Sequence, residues 1–495
     1  VTVDSPVPSD SLVRVNLATG VLRGSVRGGI ARFLGVPYAA PPVGENRFAP
    51  PAPVSPWTGE RDATLPGATS PQAPYLGALH ELLPNPIIEG PDFLTVSIWA
   101  PHAPAAPAPV LVWIHGGSLT RGSNAVPLYD GTAFARDGIV VVSVNYRLGA
   151  EGFSVLDGAP LNLGIHDQVA ALRWVAENIA HFGGDPERVT VCGESAGGAS
   201  AAALMVSPET RGLIHRVIVQ SGPLHTDSAH KGARFARAIA RTLRIPATRE
   251  AFAELSLAEL LAVQNRVEAS SSPLTGGAAF QISTDPELIP VSPDAALAAG
   301  VAADIPLLLS TCRDEYRLWF VPDGLVNRIR RWHITAARLR FGVSARTIRV
   351  FRRARPESRP GETLGEVTTD LMLRVPAYAA ADARLSHGAS THVCEFAWPT
   401  PVHDIRAGHA LEIPFVFDRL DDPAALPYTG ARPSQDVATA MHGAWVAFIR
   451  GETPGWPEWD ASRPVGVVGA PGRPVIETVH GPREPERASL ARDLA

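Results

Sequence analysis

The chain of 495 residues carries 44 basic and 49 acidic side chains for a formal charge of −5, with 45% hydrophobic and 19% charged residues. That balance excludes a disordered chain, and basic residues scattered mainly as single arginines argue against nucleic acid as a partner. Three cysteines, Cys192, Cys312 and Cys394, are too few for a disulfide framework, and none forms the Cys-x-x-Cys pair of a zinc or redox motif.

The opening stretch VTVDSPVPSD has neither a basic start nor an apolar core, and no run of about 18 apolar residues occurs later. The expectation is a cytoplasmic protein with no membrane span. Alternating segments at Val13–Val15 and Val21–Val26, separated by ATG, predict an N-terminal hairpin. Proline and glycine then dominate GVPYAAPPVGENRFAPP and the stretch from Pro66 to Pro91, which read as connections.

From Val110 the pattern alternates between strand and helix. Val110–Ile114, Ile139–Val144, Val189–Cys192, Val217–Val219 and Pro306–Leu309 are short apolar runs of the kind buried on both faces of a sheet. Val169, Leu172, Ala176 and Ile179 recur at helical spacing ahead of GGDP, which predicts a crossover helix. Helical patterns fill about 227–300 and 323–390. In the second, RIRRWHITAARLRF reads as a solvated charged face. THVCEFAW returns to the sheet, and DVATAMHGAWVAFIRG forms a last helix with Val437, Met441, Trp445 and Phe448 on one side. The fold class is α/β, a large mostly parallel sheet flanked by helices, in a single domain over 1–495.

The chemistry concentrates at VTVCGESAGGAS. A strand runs into Gly193-Glu194-Ser195-Ala196-Gly197, the spacing of a nucleophile elbow that holds a serine hydroxyl clear of its neighbours. A serine hydroxyl needs a base, and the base an orienting carboxylate. In the expected order serine, acid, histidine, the strand IPLLLSTC leads into Asp314 and Glu315, and AGHALEIPFVF presents His409. An acyl-transfer intermediate also needs backbone N–H donors, each worth about 3 kcal/mol. The strand ending in His115-Gly116-Gly117-Ser118 brings bare main chain to that position.

These stretches, with VVVSVNYRLGAEGF, VIVQSG and RDE, resemble the type-B carboxylesterases, the family of bacterial p-nitrobenzyl esterases and animal cholinesterases, from about residue 12 to 450. The resemblance implies an α/β-hydrolase fold whose helical insertions wall the pocket. It implies Ser195 as nucleophile, His409 as base and acid, and Glu315 rather than Asp314 as the orienting carboxylate. Oxyanion donors would be the N–H groups of Gly117, Ser118 and Ala196. Glu194 would either add to the field of the site or make a structural hydrogen bond.

The expected activity is hydrolysis of small to medium carboxylic esters by an acyl-enzyme, with no cofactor or metal, in a monomer or weak homo-oligomer. A lactonase, amidase, carbamate hydrolase or transacylase would use the same triad, and a catalytically dead binding module is the alternative from another class. The chain departs from the family at Ser118, at Tyr316 where glycine is usual, at Pro91, which removes the expected partner of Arg47, and at Phe93 in a cysteine's place.

Overall fold

The computed structural model describes residues 11–269 and 280–494. Its strands are β1 Ser11–Leu17, β2 Gly20–Arg27, β3 Ile30–Pro37, β4 Glu60–Asp62, β5 Thr95–Pro101, β6 Ala108–Ile114, β7 Val140–Val144, β8 Gly184–Glu194 and β9 Arg216–Gln220. Then follow the two-residue pair β10 Asp227–Ser228 and β11 Ser283–Thr284, β12 Leu307–Cys312, β13 Thr391–Phe396, β14 Pro464–Val468 and β15 Ile476–His480. One 13-stranded sheet runs in the order β1-β2-β3-β5-β7-β6-β8-β9-β12-β13-β14-β15, with β4 on β2.

The centre of the sheet, from β7 to β14, is parallel, and β1-β2-β3-β5 and β15 extend it with antiparallel pairs. Valine-rich central strands form because both of their faces are covered. Along β6, Val110, Val112 and Ile114 enter one apolar cluster while Leu111 and Trp113 enter another. Alternate residues face opposite ways, so these are the cores on the two sides of the sheet.

The N-terminal hairpin pairs as the sequence suggests, from Ser11↔Val26 to Leu17↔Gly20. It does not stand apart, because β3 and β5 join it to the main sheet. Those two strands, and β14 and β15 near the C-terminus, escape the sequence reading. Glycine and proline crowd the ends of β3 and β5, so their alternation is short. The crossover helix spans Leu163–Asn178 and the last long helix Gln435–Arg450, where Val437, Met441, Trp445 and Phe448 are all buried.

The departures from the family pattern find partners in this fold. Arg47 pairs its Nε with Glu151 Oε1 at 2.7 Å and donates to the carbonyls of Ala253 and Leu255. Phe93 is a buried core residue. Tyr316 takes right-handed helical backbone angles (φ −58°, ψ −21°) just before the helix Arg317–Phe320, so its turn does not require glycine. Its hydroxyl accepts a hydrogen bond from Arg317 at 3.0 Å, and its ring lies against Gly365 of the helix Pro360–Thr369.

Among the described residues no helix is long and apolar enough to cross a membrane. All three cysteines are free and buried.

Candidate active site

Parallel strands all deliver their C-terminal ends to one rim, where an α/β sheet places its ligand site. Ser195 follows β8 and caps the helix Ala196–Val206, with φ 57° and ψ −120°. This left-handed conformation is costly for a residue with a Cβ and persists only when its surroundings enforce it. Ser195 N–H donates to Gln220 O at 2.8 Å. Gly197 lets the helix approach β6 so closely that a Cβ there would lie 2.0 Å from Ile114 O.

The loop after β6 packs directly on this turn. A Cβ built on Gly116 would lie 2.6 Å from Glu194 Oε2 and 3.1 Å from Ser195 Cβ. Gly117, Ser118 and Leu119 have φ of 109°, 57° and 61°, a run of positive values that turns the main chain inward. Gln72 holds the far end of the loop, donating to Gly122 O and accepting from Gly122 N–H, each at 2.8 Å. Tyr146 donates to His115 O at 2.8 Å and stacks on the His115 ring. Among the described residues the N–H groups of Gly117, Ser118 and Ala196 donate to no protein acceptor, and the Ser118 side chain is exposed.

Glu315, which follows β12, and His409, which lies beyond β13, meet at the same rim. Their side chains join at Nδ1–Oε2, 2.5 Å apart, with only 1% of Glu315 and 5% of His409 exposed. The other oxygen of Glu315 accepts from Ser221 Oγ at 2.6 Å and from Cys312 N–H at 2.7 Å. Both lone-pair directions of the carboxylate are thereby fixed. Tyr428 donates to His409 O, and the Trp319 ring lies 4.5 Å from the imidazole.

The remaining imidazole nitrogen, Nε2, lies 3.1 Å from Glu194 Oε1 but completes no hydrogen bond. Nor is a hydrogen bond formed between Ser195 Oγ and His409. Burial would keep the imidazole neutral, but Glu194 and Glu315 outweigh it and lift its pKa to about 9. Burial also pushes the Glu194 carboxyl up to about 8, against the pull of His409 and aided by Glu412 and Glu315. The two groups contend for one proton.

Beneath them lies a buried polar layer that motif reading does not single out. Glu412 accepts from Gln220 Nε2 at 2.9 Å and from Cys312 Sγ at 3.0 Å. Gln220 Oε1 in turn accepts from Trp445 Nε1 and Cys192 Sγ. Burial and the neighbouring Glu315 push the Glu412 carboxyl up. The signals lay inside GHALEIPFVF and VIVQSG, but their pairing depends on strand order. Asp314, next to Glu315, has its backbone bound to Ala407 O and its side chain on another cleft. Among the described residues no group of three or more His, Cys, Asp or Glu is placed to hold a metal ion.

The model of the Carboxylesterase family matches residues 11–464. The chain is 36% identical to the para-nitrobenzyl esterase of Bacillus subtilis (strain 168) over 456 residues, 89% of this chain and 91% of that protein. It is 34% identical to the phenmedipham hydrolase of Pseudarthrobacter oxydans, covering 96% of each. A carboxylesterase structure from Geobacillus stearothermophilus superposes with a TM-score of 0.86 at 34% identity, over 96% of this chain and 99% of that one.

Proposed function

The chain belongs to the carboxylesterase family and hydrolyses carboxylic esters, and from that premise we propose that Ser195, His409 and Glu315 carry the reaction. Ser195 Oγ attacks the ester carbonyl and His409 Nε2 takes its proton. Glu315 fixes the imidazole tautomer through Nδ1–H and stabilises the imidazolium that forms. The oxyanion accepts from the free N–H groups of Gly117, Ser118 and Ala196. His409 then protonates the leaving alcohol, and water activated by the same imidazole releases the acid and restores Ser195.

The observation that carries this reading is the His409–Glu315 contact at 2.5 Å with Nε2 left unbonded at the rim. Its test is hydrolysis of p-nitrophenyl butyrate by the protein and its Ser195→Ala variant. We expect kcat to fall by about 10⁴-fold or more. A variant that stays folded and retains its activity would sink the assignment.

The substrates we infer are small to medium esters, in a single domain with helical insertions. We also infer a monomer or weak homo-oligomer in the cytoplasm, whose reducing interior suits three unpaired buried thiols. Sedimentation velocity and cell fractionation test these two readings. The lactonase, amidase, carbamate hydrolase or transacylase alternative is not favoured by the family match or the relatives.

A further inference from the structure

Away from the site, charge is distributed unevenly. Between residues 324 and 355 the chain has ten arginines and no aspartate or glutamate, in a protein whose formal charge is −5. The basic residues are therefore gathered, contrary to their reading as scattered single arginines. Only Arg355 of the ten lies within ion-pair distance of a carboxylate among the described residues, at Glu366 and Glu486. The segment folds mainly as two successive helices, Arg331–Phe341 and Ala345–Ala354.

The first of these helices is apolar on two sides. Ile334 and Ala337 are buried with Ile329 and Leu364. On the opposite side, Trp332, Ala336 and Leu339 share a face by their i, i+4, i+7 spacing. Trp332 is 65% and Leu339 70% exposed. The same helical geometry puts Arg331 and Arg338 along one border of this stripe and Arg340 along the other. Trp332 and Leu339 thus give this charged face an apolar centre.

We propose that this helix docks the protein on an anionic lipid surface. Guanidinium groups would pair with headgroup phosphates, while Trp332 and Leu339 enter the boundary between headgroups and acyl chains. Charge complementarity supplies the attraction, and the apolar stripe selects a surface with an apolar interior. A polynucleotide would satisfy the arginines but leave Leu339 in water. On the other side of the helix Phe320 packs against the cluster that holds Ile334 and Ala337, and its neighbour Trp319 lies against His409. This inference does not rest on the assignment of Ser195, His409 and Glu315.

The test is co-sedimentation of the full chain with vesicles of equal parts phosphatidylglycerol and phosphatidylcholine, and with vesicles of phosphatidylcholine alone. Binding should require phosphatidylglycerol and weaken as salt is raised. Arg338→Gln and Arg340→Gln should each lower the partition by about fivefold. Trp332→Ala with Leu339→Ala should also lower it, while hydrolysis of a soluble ester by every variant stays unchanged and reports an intact fold. Failure to bind either vesicle, equal binding to both, or binding that none of the variants weakens overturns the proposal. Retention of a single-stranded oligonucleotide in place of the vesicles does so too.

Discussion

Glu194 illustrates how much one side chain can set at this site. Its carboxylate is one of three, with those of Glu315 and Glu412, that raise the imidazole of His409. Replacing it with glutamine removes that attraction, so His409 should lose its proton at a lower pH. The acid limb of kcat/KM against pH is then expected to move down by about one unit in Glu194→Gln. An unmoved limb would mean that Glu194 does not face the working imidazole. Ser195, His409 and the pair Asp314-Glu315 stand out in sequence because each lies in a local motif, and only the family resemblance singles out Glu315 of the pair. Ser221, Gln220 and Glu412 do not stand out, because their hydrogen bonds exist only once β9 lies beside β12 and the histidine loop folds over both.

At the level of elements, the acid loop depends on a helix that follows it by some fifty residues of chain. The Tyr316 ring occupies the space that a side chain at position 365 would need, 2.0 Å from a Cβ built on Gly365. Gly365→Ala should therefore destabilise the protein by about 1–3 kcal/mol, read from its urea midpoint, because the ring must leave its place or the helix must shift. A midpoint equal to that of the parent would show that the contact yields at no cost. Valine-rich central strands announce themselves because both faces are apolar, and the long helices because their periodicity persists. β3 and β5 are harder to read, as local proline and glycine mask their pattern and the pairing of β5 with β3 and β7 joins distant chain. The departure at Tyr316 was visible, but its accommodation was not, since it rests on Gly365.

For the molecule as a whole, burial of acid groups links stability to pH. Burial, reinforced by Glu366, raises the Asp314 carboxyl from 3.8 to about 6, against the attraction of Arg317 and Arg406. Between those values the folded chain holds a proton that the unfolded chain has released, so this group makes stability fall as pH rises from about 4 to about 6. Asp314→Asn should consequently raise the unfolding free energy by about 2 kcal/mol at pH 8 and change it little at pH 4. Urea titrations at the two pH values check this, and an equal effect at both would contradict it. His409 acts in the same direction at higher pH, since its raised pKa contributes stability that is lost from about pH 6.5 to about 9.

The rim is built from chain segments far apart in sequence. Ser195 follows β8, Glu315 follows β12, and His409 comes only after β13. During synthesis the N-terminal part of the chain emerges first. On the assignment proposed above, a nascent chain displays its serine long before the histidine that would activate it has been made, and a prematurely terminated product lacking His409 would have lost its general base.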